Sequence, residues 1–471
     1  MSRLGSYKPR TFRCVVVHFR EKEIEKINGF LNTNNKKAMA IYGRRRISKT
    51  ELVLHTIHNI NFKAYYYQVS SPDYKTSLMD FKNVLNINDS VLDSLNTFKD
   101  TFIYLSKILE EKTIIIIDEF PFLAKRNEGI GMEFQYIIDH CLGKIKLVLL
   151  GSNKSFMKNQ IENDNSPLYG RFDEIINLLP FSFKEILTLF DSPKDAINVY
   201  ALTGGVAQYV MYFKDYKTVD KAIDELYFNR LGRLFLEGTN ILNQEVKDST
   251  NYNLILRAIG SSYKSAGDIA NKIKMDTRAI YSYLTRLIEL GFINEVSNFV
   301  KSKEKRYYIS DLYLRFSYTF IEPNISMITS LGHLSKEYIL NERYNEYLGF
   351  IYEEIIQNSL YEYALNKKIP FMPSSTSKWW GNIKLNNKWC ESEIDIVATN
   401  KDNLILGECK YKNKRIGIKE LEFLKLKANF VSNEDKDIYY LLASQNGFTD
   451  ELLSIKDDHL ILIDGFEAIN K

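Results

Sequence analysis

The sequence has little that would place it in a membrane. Its longest apolar runs, such as Ile114–Ile117 and Leu147–Leu150, have the length of a strand, whereas a membrane-spanning helix needs roughly 20 apolar residues. The opening MSRLGSYKPRTFRCVVVHFRE carries positive charge, but its apolar stretch VVVHF is short and no small-residue cleavage site follows it. We therefore expect no membrane segment and no secretory leader, which makes the cytoplasm the expected location.

Cysteine is scarce, and neither sign of charge is in excess. The four cysteines, Cys14, Cys141, Cys390 and Cys409, form no CxxC pair and show no zinc spacing with the six histidines. Free thiols in a reducing compartment are therefore expected, rather than disulfides or a structural zinc site. The 63 basic side chains stand against 59 acidic ones, a net charge of +4. This near balance excludes a wholly basic nucleic-acid coat but allows a local basic face.

The length of 471 residues exceeds what one hydrophobic core can organise, so about three or four domains are expected. With 45% apolar and 26% charged residues, the composition is that of a globular protein. Motifs that lie far apart in the sequence are therefore expected to belong to different domains.

A phosphate-binding loop is predicted between the short apolar strand Lys37–Tyr42 and a following helix. The segment Gly43–Thr50 reads GRRRISKT, which is a G-x4-G-K-T pattern except that Ser48 replaces the second glycine. Such a loop curls backbone N–H groups around phosphates at a helix N-terminus, while a lysine supplies charge and a hydroxyl binds magnesium. Lys49 and Thr50 supply the last two groups. The alternative is a tight strand-to-helix turn that contains Lys-Thr by chance.

Residues 113–121, TIIIIDEFP, form a continuous apolar run that ends in two carboxylates. Such a run is typical of a parallel strand buried on both faces, and it places Asp118 at the carboxyl end, where ligands of open α/β sheets bind. Asp118 can hold magnesium through water, and Glu119 can polarise the attacking water. A further buried strand, Lys146–Asn153, ends near Ser152, which could sense the terminal phosphate. The alternative for the first run is a strand that ends in a solvated acidic turn.

These motifs and their order resemble the archaeal-type ATPase family, a group of P-loop signalling ATPases related to AAA+ proteins. The resemblance rests on YGRRR with KTEL, IDEFP, LLGS, PLYGR, LLPFSFKE and TGG, and on the opening HFREKEIEKI (His18–Ile27). It implies a P-loop α/β fold with ATP and Mg²⁺ as ligands, Thr50 and Asp118 at the metal, and Glu119 as the hydrolytic residue. The positions it implies for ATP binding are Gly43, Arg44, Arg45, Arg46, Ile47, Ser48, Lys49, Thr50, Asp118, Ser152 and the phosphate-sensing Arg171.

The chain departs from the family pattern at two positions. Ala207 stands in TGGVAQY where the family usually has proline. Ser48 matters more, because a residue other than glycine costs about 1–2 kcal/mol where φ must be positive. Since about 1.4 kcal/mol is tenfold in affinity, we expect ATP binding to be weakened but retained, with slow hydrolysis.

Residues 249–322 resemble a winged helix-turn-helix. Ser265 and Asp268 form a capping-box pattern at a helix start, and a longer second helix ends at Gly291. A two-strand pattern with a basic tip follows, which is typical of a wing. The side chains expected in a DNA groove are Thr277, Arg278, Tyr281 and Ser282, and those expected at phosphates are Lys303, Lys305 and Arg306 of the wing. The alternative is a winged helix that makes protein contacts.

The last third of the chain contains two predicted strands, SEIDIVAT and NLILGECKY, joined by a polar turn. Glu408 and Lys410 share a face of the second strand, and Asp395 can converge with them if the strands pair. Two carboxylates and an ammonium suit a hard cation and an attacking water, and Glu353 on the preceding helix could complete the cluster. The D-x12-E-x-K spacing resembles the PD-(D/E)xK nuclease core, a domain that the archaeal ATPase family often carries. The alternative is a hairpin with a solvated polar face.

The predicted fold class is α/β, with a P-loop NTPase parallel sheet in residues 1–182 and a helical lid in 183–248. A winged helix-turn-helix (249–322) and an α+β restriction-endonuclease-like domain (323–471) follow. The leading interpretation is an ATPase that couples nucleotide state to DNA binding and to metal-dependent DNA cleavage. The alternatives are a nucleotide-switched regulator with a non-cleaving nuclease-like domain, and a scaffold without ATPase activity. ATP and DNA are the expected partners, and a homo-oligomer is left open.

Overall fold

The computed structural model describes residues 19–58, 60, 62–431 and 436–466. The described residues form two compact units: unit 1 comprises those up to Phe181 together with Val206–Met211, and unit 2 comprises Ser182–Gly205 together with those from Tyr212 onward. Cys14 and His18 lie outside the described residues. Among the helices that are described, none combines the length and the apolar character needed to cross a bilayer.

A single parallel sheet organises unit 1. Its strands are β1 (Ala38–Tyr42), β2 (Lys63–Gln68), β3 (Thr113–Asp118), β4 (Ile145–Gly151) and β5 (Glu174–Asn177). They form a five-stranded sheet in the order β2-β3-β4-β1-β5. Every residue of β1, β3 and β4 is buried, as expected for parallel strands with helices on both faces. The strands predicted around residues 37–42, 113–118 and 146–153 are therefore confirmed.

Helices cover this sheet, and several begin at side chains that cap them. The helices are α1 (Glu21–Asn32), α2 (Lys49–His58), α3 (Tyr74–Leu85), α4 (Ser90–Ser94), α5 (Phe98–Ile108), α6 (Phe120–Ala124), α7 (Ile130–His140) and α8 (Lys154–Glu162). Asp73, Thr97 and Asn153 accept hydrogen bonds from the first turns of α3, α5 and α8. Aliphatic and aromatic side chains form the core between these helices and the sheet, and the rings of Phe81 and Phe102 are stacked at 5.7 Å.

The segment predicted as a helical lid is helical throughout most of its length. It contains α9 (Phe183–Leu189), α10 (Pro193–Thr203), α11 (Ala207–Lys214), α12 (Val219–Tyr227) and α13 (Glu237–Glu245). The first part of α11 belongs to unit 1, whereas the other helices belong to unit 2. Its role as a lid stays a prediction.

Three helices and a small hairpin follow in unit 2. They are α14 (Thr250–Ile259), α15 (Ala266–Ile273), α16 (Thr277–Glu289), β6 (Ile293–Ser297) and β7 (Lys305–Ile309), with the two strands antiparallel. The predicted capping box is present, because Ser265 accepts from the Asp268 backbone and Asp268 accepts from that of Ser265. Gly291, with a φ of 74°, follows the end of α16, as a left-handed C-terminal glycine should.

A nearly continuous helical stretch leads to the last part of the chain. It consists of α17 (Leu312–Phe316), short π and 3₁₀ turns, α18 (Ile325–Leu331) and α19 (Lys336–Leu365). Pro323, placed by the sequence analysis at the start of the last domain, lies in the 3₁₀ turn Glu322–Asn324 within this stretch. A non-helical residue, Asn341, kinks α19.

A second five-stranded sheet completes unit 2. Its strands are β8 (Ser375–Leu385), β9 (Lys388–Thr399), β10 (Asn403–Lys410), β11 (Asp437–Ser444) and β12 (Leu460–Asp464), accompanied by helices α20 (Ile418–Ala428) and α21 (Asp450–Leu453). The strand order is β12-β11-β10-β9-β8, antiparallel from β8 to β10 and parallel from β10 to β12. The predicted hairpin of SEIDIVAT and NLILGECKY is confirmed as β9 and β10. Leu404, Leu406 and Leu442 lie in the core of this sheet.

Candidate functional site

The phosphate loop connects β1 to α2 in unit 1. Gly43 lies so close to residue 178 that a Cβ atom there would stand 2.3 Å from the Leu178 carbonyl oxygen. Ser48 has a φ of 71°, so the position that normally holds glycine does require the left-handed conformation. Its hydroxyl is buried and finds no hydrogen-bond partner within the described part of the chain. The loop therefore keeps its backbone shape despite the substitution, at the expense of strain.

The side chain of Lys49 folds back onto the phosphate loop. Its Nζ donates to the carbonyl oxygens of Gly43 and Arg44, at 3.0 and 2.9 Å. Burial lowers the pKa of Lys49 to about 8, although the nearby carboxylates of Glu119 and Asp118 oppose that shift. Phosphate oxygens that replaced the two carbonyls would restore the preference for the charged ammonium.

Asp118, at the carboxyl end of β3, is held by three donors. The hydroxyls of Thr50 and Tyr66 donate to the same carboxylate oxygen, Oδ2, at 2.6 and 2.8 Å. The backbone N–H of Glu119 donates to Oδ1 at 2.8 Å. The structure thus brings the predicted Thr50 and Asp118 into contact. Tyr66 was missed, because only the order of the strands places β2 beside β3.

Glu119 and Ser152 also meet, since β3 and β4 are neighbours and end at the same edge of the sheet. The Ser152 hydroxyl donates to Oε2 of Glu119 at 2.6 Å. Glu119 itself has a left-handed backbone, with a φ of 58°. Two positions that the sequence analysis assigned to separate roles therefore form one hydrogen-bonded pair beside Lys49 and Asp118.

The four arginines predicted to bind ATP have different surroundings in the structure. Arg45 and Arg46 are exposed, and the guanidinium groups of Arg44 and Arg46 lie 5.8 and 5.7 Å from the ring centre of Tyr209. Ile47 is fully buried under the loop. Arg171 forms an ion pair with Asp139 at 3.1 Å rather than contacting the phosphate loop. Its predicted role in phosphate sensing stays a prediction that requires it to leave Asp139.

The groups at this edge suit a magnesium ion that arrives with nucleotide phosphates. Mg²⁺ prefers hard oxygen ligands and is commonly bound by one or two carboxylates together with phosphates and waters. Thr50 and Asp118 offer a hydroxyl and a carboxylate oxygen side by side, and the three donors that reach the Asp118 carboxylate from the described residues are neutral. The negative charge of the carboxylate is therefore still available to a cation.

A second cluster of carboxylates lies in unit 2, where β9 and β10 pair. Cys409 donates its backbone N–H to Oδ2 of Asp395 at 2.9 Å, so the two strands bring Asp395 to the segment that carries Glu408 and Lys410. Lys410 donates to Oε1 of Glu408 at 2.5 Å. Asp395 and Glu408 are both buried. The predicted convergence of the D…ExK residues is thus present in the structure.

Two lysines that the sequence analysis missed complete this cluster. Lys427 of α20 donates to Oε2 of Glu408 at 2.7 Å, and Lys378 of β8 donates to Glu353 of α19 at 2.6 Å. Lys427 had a signal in the sequence, because it shares the buried face of α20 with Leu421 and Leu424. A lysine on an apolar helix face is expected to have a buried partner.

Burial and mutual repulsion shape the titration of these carboxylates. Burial raises the pKa of Asp395 well above its usual range, and the charges of Glu353 and Glu408 raise it further. Burial likewise raises the pKa of Glu353, although Lys378 acts against it. Acids whose pKa values are raised by burial and by one another are frequent at functional sites.

The carboxylates of this cluster are less available to a metal ion than the Asp118 carboxylate beside the phosphate loop. Both oxygens of Glu408 accept from ammonium groups, and Glu353 accepts from a third. In the ranges that the structure describes, no three His, Cys, Asp or Glu side chains are placed to hold a metal ion together. The residues as arranged therefore do not fit a magnesium ion, and binding one would require Lys427 to withdraw from Glu408.

The predicted DNA-facing residues divide into two groups. Thr277, Arg278, Tyr281 and Ser282 are all exposed on α16, and Lys303 is exposed between β6 and β7. Lys305 pairs instead with Glu295 at 2.5 Å. Arg306 lies 4.6 Å from the ring centre of Trp380 in β8 and 4.0 Å from a carboxylate oxygen of Glu393.

The hairpin that carries these residues is attached to the second sheet of unit 2. Asn298 forms a parallel bridge with Lys378 and donates its side-chain N–H to the Trp380 carbonyl oxygen at 2.6 Å. Phe299 donates its backbone N–H to the Lys378 carbonyl oxygen at 3.0 Å, and its ring packs against the core of that sheet. A groove of about 810 Å³ remains between the hairpin, Tyr281 and β8. The hairpin of β6 and β7 therefore contacts the second sheet of unit 2 through the segment that joins its strands.

The sheet, the phosphate loop and the carboxylate pair define a P-loop nucleotide-binding fold, and comparison with known proteins identifies its class. Residues 19–213 match the family described as an ATPase domain predominantly from Archaea. Residues 317–423 match a family described as archaeal and bacterial proteins of unknown function. The first part of the chain is therefore an archaeal-type ATPase domain.

The full chain also has a relative of similar length. An uncharacterized protein of Methanocaldococcus jannaschii is 32% identical over 441 residues, which cover 90% of this chain and 95% of that protein. The chain belongs to the same protein family as this relative.

Two solved structures show a more distant likeness. The Aeropyrum pernix ORC2 protein is 15% identical, with 71% of this chain and 97% of that chain covered and a TM-score of 0.47. A signal transduction ATPase with a tetratricopeptide repeat sensor from Pyrococcus horikoshii is 18% identical, with 73% of this chain and 50% of that chain covered and a TM-score of 0.30.

Proposed function

We propose that the protein is an ATP-driven switch that acts on DNA, in which the nucleotide bound by unit 1 controls DNA binding by unit 2. The observation that carries the nucleotide part is the contact between Thr50 of the phosphate loop and Asp118 at the end of β3. Lys49, Glu119 and Ser152 lie at the same edge of the sheet. The match of residues 19–213 to an ATPase domain supports the same function.

The residues of this edge have distinct tasks in ATP hydrolysis. The ammonium of Lys49 exchanges the carbonyl oxygens of Gly43 and Arg44 for phosphate oxygens, and the N-terminus of α2 adds backbone N–H donors. The Glu119 carboxylate, which the Ser152 hydroxyl holds, accepts a hydrogen bond from the attacking water in this proposal. Bound magnesium would neutralise charge on the phosphates.

DNA binding is assigned to the exposed face of α16. Arg278 and Tyr281 are exposed there, with Ser282 and Thr277 beside them, and Lys303 extends the same surface. Because Lys305 and Arg306 already have partners within the protein, α16 is expected to contribute more to DNA binding than the hairpin does. Phosphate contacts by such residues make affinity fall with salt.

Binding measurements test both parts of this proposal. Calorimetry is expected to show Mg-ATP binding that Lys49→Ala removes, and no binding at millimolar nucleotide would contradict the nucleotide part. Fluorescence anisotropy with duplex DNA is expected to give different affinities with ATP and with ADP. Arg278→Ala should lower DNA affinity by about 1–3 kcal/mol, whereas Lys217→Ala, which changes an exposed lysine outside α16, should not. Equal effects of the two substitutions would exclude α16 as the DNA surface.

DNA cleavage in unit 2 is a second candidate function. It is favoured by the convergence of Asp395, Glu408 and Lys410. The competing possibility is a nuclease-like domain that binds without cutting, which agrees with the lysines that occupy Glu408.

A plasmid assay separates these two possibilities. The protein is incubated with supercoiled DNA and Mg²⁺ or Mn²⁺, with and without ATP. Cleavage predicts nicking that Asp395→Asn abolishes and that Glu391→Gln, an exposed carboxylate on the same strand, leaves unchanged. Nicking that persists in Asp395→Asn would come from another source. The absence of nicking by the wild-type protein would support the non-cleaving regulator.

A further inference from the structure

Tyr66 reaches the centre of the nucleotide site although it belongs to no motif of that site. It lies on β2, where it pairs with Ile116 of β3, two residues before Asp118. Residues that are two apart on one strand share a face of the sheet, and so do residues that pair across two parallel strands. Tyr66 therefore lies on the same face as Asp118, and its long side chain can reach the end of β3. Its hydroxyl donates to Oδ2 of Asp118 at 2.8 Å.

Counting the lone pairs of Asp118 shows what this contact does. An ionised carboxylate can accept about four hydrogen bonds, roughly two on each oxygen. Thr50 and Tyr66 use both positions on Oδ2, and the Glu119 N–H uses one position on Oδ1. The remaining position lies on Oδ1, so the two hydroxyls together determine which oxygen is left for a further ligand.

We infer that Tyr66 is a positioning residue for the magnesium–nucleotide complex, which holds the Asp118 carboxylate in the orientation that a metal-bound water or the metal requires. The inference rests on nucleotide binding at the phosphate loop. A phenol suits this task because it is a neutral donor: it fixes the carboxylate without cancelling the charge that attracts the cation. Without Tyr66, the carboxylate would keep the Thr50 hydroxyl on Oδ2 and the Glu119 N–H on Oδ1, and one position on Oδ2 would lose its donor.

A purely structural role for Tyr66 makes a different prediction. The ring is half-buried against the sheet, so its removal would disturb packing and affect every property of unit 1 together. Tyr66→Phe keeps the ring and removes only the donor. A positioning role then affects the dependence on magnesium, whereas a packing role leaves that dependence as it is.

The experiment measures the affinity of a non-hydrolysable ATP analogue by calorimetry as a function of Mg²⁺ concentration and again with excess EDTA. In Tyr66→Phe, the Mg²⁺ concentration that gives half of the affinity gain is expected to rise about tenfold, because a hydrogen bond to a charged group is lost. Affinity in EDTA should stay at the wild-type value. A half-maximal Mg²⁺ concentration equal to that of the wild type would overturn the inference.

The chain offers a matched control on the same strand. Tyr65 is buried, and its hydroxyl has no hydrogen-bond partner among the described residues, so Tyr65→Phe removes a phenol oxygen away from Asp118. It should leave the magnesium dependence unchanged, and an equal shift in both variants would also overturn the inference. Thermal unfolding of both variants accounts for any general loss of stability. If the wild-type protein binds no nucleotide, the proposed function fails; if it binds with magnesium dependence that Tyr66→Phe preserves, the role of Tyr66 alone fails.

Discussion

The two acidic sites of the protein differ in the groups that donate to their carboxylates. In unit 1, Asp118 and Glu119 accept side-chain hydrogen bonds from the hydroxyls of Thr50, Tyr66 and Ser152. In unit 2, Glu408 accepts from the ammonium groups of Lys410 and Lys427, and Glu353 accepts from that of Lys378. Both arrangements supply hydrogen-bond donors to the carboxylates, but the donors in unit 1 are neutral, whereas those to Glu408 and Glu353 carry positive charge.

This difference separates two uses of a buried carboxylate. Hydroxyl donors fix the geometry and leave negative charge to attract a cation, which suits the end of a parallel strand beside a phosphate loop. Ammonium donors balance the charge within the protein, so a metal ion has to compete with lysines that are already in place. We therefore expect the two sites to respond differently when a donor is removed and when magnesium is added.

The largest effect is expected when Lys427 loses its charge. Lys427 is 3% exposed and its partner Glu408 is 8% exposed, so Lys427→Met leaves a buried carboxylate with one of its two ammonium partners. Removing one member of a buried ion pair typically lowers the free energy of unfolding by about 3–5 kcal/mol. Urea unfolding followed by circular dichroism measures this loss, and a loss below about 1 kcal/mol would show that Lys427 does not neutralise the cluster.

Magnesium should distinguish the variant from the wild type. In Lys427→Met the cluster has an uncompensated negative charge, so Mg²⁺ is expected to raise its melting temperature, whereas the nucleotide-free wild type should respond little. The double variant Glu408→Gln/Lys427→Met removes that charge and should lose the response. Equal stabilisation of all three proteins by Mg²⁺ would remove the distinction between the two sites.

A smaller effect is expected at the hydroxyl donors of unit 1. Ser152→Ala frees Glu119 from its 2.6 Å hydrogen bond, and misplaced general bases commonly lower rates by one to two orders of magnitude. Phosphate release under saturating Mg-ATP should therefore slow about 10- to 100-fold while ATP affinity stays within about threefold. A matching loss of affinity would indicate that Ser152 acts through the loop rather than through Glu119.

The pH dependence of ATP binding tests the charge of Lys49. Burial lowers the pKa of Lys49 to about 8, and contacts with phosphate oxygens are expected to raise it again. Below pH 8 the lysine is charged in both states, so affinity is constant. Above pH 8 binding must take up a proton, and affinity should fall by up to about tenfold per pH unit. Titrations between about pH 7 and 9.5 check this, and Lys49→Arg, which stays charged, should give a flat profile.

Sequence patterns revealed the features of these sites that depend on neighbouring residues. The phosphate loop, the buried run that ends at Asp118 and the Ser265–Asp268 capping box are local signals, and so is the spacing of Glu408 and Lys410 along one strand. Each follows from backbone periodicity or from contacts within a few residues. The family resemblance adds the order of the motifs in the first part of the chain, which the match of residues 19–213 bears out as an ATPase domain.

Most of the hydrogen-bond donors that distinguish the two sites could not be predicted from the sequence. Tyr66 contacts Asp118 because β2 lies beside β3, and Lys378 meets Glu353 because β8 lies near α19, so both depend on tertiary arrangement. The same holds for Arg306, whose predicted phosphate contact competes with its stacking on Trp380. Only Lys427 left a trace in the sequence, as a charged residue on an apolar helix face.

The smallest effect concerns Ser48, where the structure changes the expectation drawn from the sequence. Its φ of 71° belongs to the folded loop itself, so we expect the strain of about 1–2 kcal/mol to lower the stability of the fold rather than the affinity for ATP. Ser48→Gly relieves this strain and removes a buried hydroxyl without a partner in the described chain, while the greater freedom of glycine in the unfolded state offsets about 0.5–1 kcal/mol. The free energy of unfolding should rise by about 1 kcal/mol, with ATP affinity within about twofold of the wild type. A gain in ATP affinity near tenfold without a gain in stability would mean that the loop changes its backbone conformation when nucleotide binds. The site formed by Thr50, Tyr66 and Ser152 around Asp118 and Glu119 would then be less preorganised than its contacts indicate.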